Sequence, residues 1–397
     1  TSKKEISGSG RIVMPGLINM HCHAGDSLFR GLVENLSLEE WLDKVWVAEK
    51  AILDKSTTYL GSILGLAENL LCGATTVMDM FWYPSETVRA ARDLGLRIAT
   101  GGIFFDPPGV GHRSHPDYLK EAEEFLRLHS RSDEIFPVNM PHGAYTVSPN
   151  HLRDAKKLSD QYGGLFCTHA AETLAEQKDI QRRYGLSVIR HLAKLDVLGP
   201  KSILAHCVHL DDKEMDLISE TETVVVHNPL SNLKLGSGIA PIHKMLKNGI
   251  RLTLGTDGAI SGNDLDMWLA MRLAATLPKG QEMKADLISP TETLHMATLN
   301  GANALGLGKE LGSLEIGKKA DFLILKTNVV NATPMFDPIT HIIYSANKSD
   351  VQDVFVGGKQ VVRNGNLELF DIYPILEKIQ SMVPNMRSFL EKSADEK

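Results

Sequence analysis

Eight short apolar runs rich in β-branched residues alternate with amphipathic helical patterns, and this alternation constrains the fold more than any other feature. The runs cover 17–22, 74–79, 97–105, 135–140, 165–169, 202–206, 222–227 and 251–256. Helical spacing covers 54–71, 84–94, 117–129, 149–161, 211–219 and 264–277. Ser148-Pro149 and Asp211 sit where helices should start, and Gly73 and Gly163 where they should end. Strands that are apolar on both faces belong in a parallel sheet covered on both sides. Eight such βα units fit a closed (β/α)8 TIM-like barrel over residues 14–307. The alternative, a doubly wound open sheet, would carry a glycine-rich phosphate turn. Gly101-Gly102 and Gly163-Gly164 do not form one.

Past the barrel the pattern changes. Within 308–370, ADFLILKT, ITHIIYS and VQDVFVGGKQVVRNG read as short strands, with Gly357-Gly358 and Asn364-Gly365 as turns, so a small β annex is expected. Residues 371–397 form a helical tail, with Ile375, Ile379, Met382, Met386, Phe389 and Leu390 at helical spacing and a break expected at Pro384. That helix should pack on its own barrel or on a sister subunit.

The formal net charge of −7 argues against a general affinity for nucleic acid or anionic lipid. No apolar run reaches the ~18 residues of a membrane span, and residues 1–10 lack a signal-peptide core. The cysteines Cys22, Cys72, Cys167 and Cys207 are widely separated, as expected of free thiols in a reducing cytoplasm.

The histidines carry the chemistry. His21 and His23 end the first run, and residues two apart on a strand point the same way. His169 ends the fifth run, His206 the sixth and Asp257 follows the eighth. In a β/α barrel these ends converge on one mouth. Three imidazoles and a carboxylate suit one divalent metal, Zn²⁺ before Fe²⁺, with a position left for water. Glu172, three residues beyond His169, can move a proton between that water and a leaving nitrogen, or be a solvated loop charge. Asp257 can touch the metal and also accept the water's proton, and His206 is either a ligand or a donor to a developing oxyanion. His209 reads as packing, His227 as site or turn, and His142 as a substrate contact.

PGLINMHCHAG, HAAE, LAHCVHL, HNPLSNLKLGSGIAP and LTLGTDG resemble the amidohydrolase superfamily, in particular its mononuclear-metal aminohydrolases. That branch holds S-adenosylhomocysteine and methylthioadenosine deaminases, with triazine chlorohydrolases nearby. The resemblance runs from about Val13 to Gly365. It implies His21, His23, His169 and Asp257 as ligands, Glu172 as proton shuttle and His206 as the group aligning the water. It implies a hydroxide carried by the metal that attacks an amino-bearing ring carbon and expels ammonia. Binuclear relatives carry a bridging lysine near the end of strand four, where this chain reads IFPVNMPHGAY, so a single metal is expected. Triazine chlorohydrolases often lack the carboxylate matching Glu172, which favours deamination here.

The resemblance also implies substrate contacts at Trp41, Glu49, Arg113 and His142, Glu49 only after a one-residue shift of the alignment. Relatives that handle adenosylhomocysteine hold its carboxylate with arginines, and one of those positions is Gly101 here. Only about twenty residues precede His21, so the β-sandwich annex of the family is expected to be N-terminally incomplete, with 1–13 supplying one residual strand. A clipped chain or a covering partner would explain that edge. The expected substrate is an aminated heterocycle such as a purine nucleoside, the expected assembly a homo-oligomer, dimer or tetramer. The competing functions are a triazine-type chlorohydrolase or N-dealkylating aminohydrolase, and a non-catalytic scaffold on this fold.

Overall fold

The computed structural model describes residues 5–395. Residues 1–4 of the expected residual strand, 396–397 of the tail, and the side chains of Phe389 and Leu390 lie outside the description. The strands are β1 (Arg11–Pro15), β2 (Leu17–His23), β3 (Ala74–Asp79), β4 (Arg97–Thr100), β5 (Ile103–Phe104), β6 (Ile135–Pro141), β7 (Leu165–Ala170), β8 (Ser202–His206), β9 (Val224–His227), β10 (Arg251–Leu254) and β11 (Asp257–Gly258). They are followed by β12 (Phe322–Lys326), β13 (Val351–Val356), β14 (Lys359–Arg363) and β15 (Asn366–Leu367). From β2 through β3, β4, β6, β7, β8 and β9 to β10, each strand runs parallel to the next.

The ring closes because the chain changes partner after β10. The Gly255 N–H donates to the His227 carbonyl at 3.0 Å, and the Thr256 N–H to the His21 carbonyl at 3.2 Å. β11 then lies parallel to β2, with Asp257 opposite Cys22. β10 and β11 are one eighth strand that completes the TIM-like barrel. A Cβ at position 255 would sit 2.4 Å from Asn228 Oδ1 and 2.8 Å from the Cβ of His21, so the crossing needs glycine. The buried Asn19 amide fastens the same seam. It donates to Asn69 Oδ1 at 2.8 Å and Thr256 Oγ1 at 2.7 Å, and accepts the Thr256 N–H at 3.1 Å.

The expected strand at 97–105 is two pieces, β4 and β5, parted at Gly101-Gly102. There the backbone runs tight against β6: a Cβ at position 101 would meet the Val138 carbonyl oxygen at 2.2 Å. No arginine fits on this backbone.

The annex is one antiparallel sheet, ordered β1-β12-β13-β14-β15. A buried, two-pronged pair of Arg97 with Asp321, at 2.8 and 3.2 Å, joins it to the barrel, and Asp321 also accepts the Gly357 N–H at 2.6 Å. Two expectations fail here. ITHIIYS is a helix, Pro338–Tyr344, not a strand. Asp337 caps it, Pro338 occupies its first turn, and His341, Ile342 and Ile343 are the residues it buries. The tail helix, Tyr373–Asp395, runs through Pro384 without a break. The lost backbone hydrogen bond is outweighed by an apolar stripe, Ile375, Ile379, Met382 and Met386, packed on the molecule's own core. Its partners are helices α1 (Leu38–Ile52) and α2 (Lys55–Leu71) of the same chain. Among the described residues no helix is long and apolar enough to cross a membrane, and all four cysteines are free and buried.

Candidate active site

The C-terminal ends of β2 and β7 and the start of β11 bring four potential ligand atoms to one point. His169 Nε2 lies 3.1 Å from His21 Nε2 and 3.3 Å from His23 Nε2. Asp257 Oδ1 lies 3.3 Å from His21 Nε2 and 3.1 Å from His23 Nε2. The ring partners decide which edges carry protons. His23 Nδ1 donates to the Met80 carbonyl at 2.5 Å, and His169 Nδ1 to the His142 carbonyl at 2.6 Å. With those tautomers their Nε2 lone pairs face each other across a buried gap, an arrangement that a cation between them would relieve. Two donors bound at about 2.0–2.1 Å to one tetrahedral ion stand about 3.3 Å apart, the spacing found here. The donor set fits a divalent metal. His21 Nδ1 is buried with no partner.

Asp257 presents one oxygen to this cluster. Its Oδ2 accepts from Ser231 Oγ at 2.5 Å and Ser261 Oγ at 2.9 Å, which turns Oδ1 towards the imidazoles. Burial alone would raise this carboxyl, but the His21 and His23 imidazoles against it hold it well below its ordinary range. Asp257 is left-handed at φ 63°, as are His206 at φ 78° and Ala171 at φ 52°. Non-glycine residues in that region cost roughly 1–3 kcal/mol each, and with Cys207 at φ 50° there are four at one barrel mouth, strain retained where side chains must be aimed.

His206 is different in kind. Its Nδ1 faces the Asn232 amide nitrogen at 2.8 Å and that of Asn228 at 3.5 Å. An amide N–H donates to Nδ1, so the ring proton sits on Nε2, which points to Glu172 Oε2 at 3.7 Å. Burial lowers the His206 pKa to about 3, which keeps the ring neutral. With His21 and Asp257 it also forms a group whose ligand atoms lie within 4.8 Å of one another, so this ring can serve as a donor into the site or as a ligand. Glu172 is 4% exposed, and its Oε1 accepts from Ser237 Oγ at 3.4 Å. Burial, then the charge of Asp257, pushes its carboxyl well above the ordinary value. His209 binds the Ser237 carbonyl through Nε2 at 2.8 Å, a structural tie, and His227 is buried with Nδ1 unpartnered.

Beside His23 a small cavity opens under α1. Trp41, Trp46, Glu49, Trp82, Asp26 and His142 line it. Glu49 Oε2 accepts the Trp82 indole N–H at 3.0 Å, and burial raises its carboxyl to about 7. His142 keeps Nδ1 on Thr146 Oγ1 at 2.9 Å, and burial lowers its pKa to about 3. The Trp41 indole N–H is buried without a partner. Three of the four expected substrate contacts thus line one cavity. Arg113 does not: its guanidinium pairs with Glu121 at 3.0 Å and lies over the Tyr83 ring. A wider groove between barrel, annex and tail, lined by Arg11, Glu68 and Lys348, contains none of the clustered histidines.

Residues 12–361 match the amidohydrolase family, most of the chain's length. The chain belongs to that family. A 5-methylthioadenosine/S-adenosylhomocysteine deaminase of Syntrophomonas wolfei is 38% identical over 378 residues, covering 94% of this chain and 86% of the relative. A 5'-deoxyadenosine deaminase of Methanothermobacter thermautotrophicus is 36% identical, covering 94% and 87%. The crystal structure of a Xanthomonas campestris adenosine deaminase with bound zinc superposes with TM-score 0.93 at 31% identity, covering 96% of this chain and 87% of that one. With the family match, these deaminases place the chain among hydrolases acting on carbon–nitrogen bonds.

Several residues of this amidohydrolase site escape a reading by sequence alone: Asn232, Ser231, Ser261, Asp26 and Trp46. The signal for Asn232 is faint, two asparagines (228 and 232) one helical turn apart behind the His227 strand end. Asp257→Asn is expected to weaken metal retention about 10- to 100-fold. Metal analysis after dialysis checks this. A variant that keeps both metal and rate would take Asp257 out of the site.

Proposed function

We propose that this chain is a Zn²⁺-dependent deaminase of adenosine-type nucleosides with an uncharged 5' tail, such as 5'-methylthioadenosine or 5'-deoxyadenosine. The observation that carries the reading is the convergence of His21, His23, His169 and Asp257 beside a buried acid, Glu172, and a neutral donor, His206. His21, His23, His169 and Asp257 would hold the ion. A bound divalent ion supplies Lewis acidity and makes water acidic enough to be deprotonated near neutrality.

The chain's own groups do the rest. Glu172 takes the proton of the attacking water at a carboxylate oxygen and delivers it to the purine ring nitrogen. The His206 Nε2–H holds the incoming oxygen as the amino-bearing carbon becomes tetrahedral. The hydroxyl proton then passes to the amine, the C–N bond breaks, and ammonia and a ring carbonyl remain. Trp41, Trp46 and His142 enclose the heterocycle, and Glu49 accepts from the sugar hydroxyls.

The uncharged tail is argued from charge. The cavity lining contains two carboxylates, Asp26 and Glu49, and no lysine or arginine. Gly101 has no room for a side chain, and Arg113 is already paired with Glu121. Ammonia release from the zinc-loaded protein across adenosine, methylthioadenosine, 5'-deoxyadenosine, adenosylhomocysteine, guanine and an aminotriazine tests the proposal. The neutral-tailed nucleosides should lead, with kcat/KM for adenosylhomocysteine lower by about tenfold or more, ~1.4 kcal/mol of binding at the transition state. Equal rates for adenosylhomocysteine would overturn the tail assignment, and silence with every adenosine the function.

A further inference from the structure

Glu176 is buried beside the site and has no part in the chemistry above. It is the third residue of the helix Leu174–Tyr184, whose N-cap is Thr173. A glutamate there ordinarily reaches back to the N-cap N–H. Glu176 reaches further: its Oε2 accepts the Glu172 N–H at 2.8 Å, while its Oε1 is buried without a partner. The opposite side of the same turn is held by the next strand's loop. The Ala170 carbonyl accepts the Cys207 N–H at 3.0 Å, and the Ala171 carbonyl accepts the His209 N–H at 2.9 Å. Between them stands Ala171 at φ 52°, a conformation alanine keeps only when its surroundings impose it.

We infer that Glu176 is a positioning residue: its buried carboxylate grips the N–H side of the left-handed turn at Ala171 and so aims Glu172 at His206. The inference rests on Glu172 being the proton shuttle. Thr173 extends the linkage, because its Oγ1 accepts the Glu176 N–H at 3.0 Å and donates to Glu39 Oε1 at 2.9 Å. Glu39 lies in the first turn of α1, the helix that roofs the cavity. The charge of Glu176 also acts on Glu172 directly, since it favours the protonated shuttle.

Two variants and two readouts test this. Glu176→Ala removes the acceptor, and the Glu172 amide should exchange with deuterium about tenfold faster or more in the metal-free protein. In the zinc-loaded enzyme kcat should fall about tenfold or more, while KM changes less than about threefold, as expected when only transition-state placement is lost. Glu176→Gln keeps an acceptor oxygen without the charge. It should lose less than the alanine variant, and the limb of the pH–rate profile set by Glu172 should move to lower pH. Wild-type exchange and kcat in Glu176→Ala would overturn the inference. If that variant does not fold, Glu176→Gln decides: an unmoved limb rejects the role. Failure of the shuttle reading is separately visible, because Glu172→Gln would then turn over normally while the exchange result stands on its own.

Discussion

Glu172→Gln is expected to leave the protein folded and its metal content unchanged, and to lower kcat by about two to four orders of magnitude, the usual worth of a general acid–base group. The substitution keeps shape and the acceptor that faces Ser237 Oγ, and removes only the capacity to hold and release a proton. Burial, with the Asp257 charge adding to it, pushes the Glu172 carboxyl well above its ordinary value and so favours its holding a proton. Ammonia release and metal analysis on the same sample check the prediction, and full turnover would end the shuttle assignment. A second consequence follows from linkage. A carboxyl whose folded pKa is raised above its unfolded value leaves the fold less stable as pH rises from the unfolded value towards the folded one. Metal-free Glu172→Gln should therefore melt above the metal-free wild type at mildly alkaline pH. Below the ordinary carboxyl range, where both side chains are neutral, the gap should close.

Asn232→Asp should cost about 10²–10³ in kcat without emptying the metal site. An asparagine amide donates to His206 Nδ1 and leaves the proton on Nε2, aimed into the site. An aspartate at the same place can only accept, so it draws the proton to Nδ1 and presents a bare Nε2 lone pair to the developing oxyanion. The change is isosteric and lies behind the imidazole, so binding of the heterocycle and the geometry of the His21–His23–His169 cluster should survive. The expected signature is a fall in kcat with KM nearly constant. Unchanged kcat would mean that His206 does not act as a donor.

The barrel and most of its site are legible in the chain because their signals are local. Apolar runs mark the buried parallel strands, and two-residue alternation places His21 and His23 on one face. A histidine or aspartate just past such a run can only stand at the mouth. What stays hidden depends on contacts between distant segments. Asn232, Ser231 and Ser261 go unremarked until the short helices that follow β9 and β11 bring them behind His206 and Asp257. Arg113 cannot be judged by spacing, because its partner Glu121 comes from the next helix. ITHIIYS has strand composition, and the Asp337-Pro338 start overrides it. Pro384 reads as a stop, yet packing of the tail on α1 and α2 carries the helix across it.

The crossing at Gly255 and Thr256 has a bearing on how the molecule comes into being. Two of the site's imidazoles belong to the first barrel strand and its carboxylate to the last, so the constellation joins the two ends of the sheet. Contacts this remote in sequence carry a large loop-closure cost before they are rewarded. A nascent or half-unfolded chain therefore holds its histidines without their aspartate. On the proposed assignment, catalysis requires ring closure, because only then does the last strand carry Asp257 to the histidines of the first.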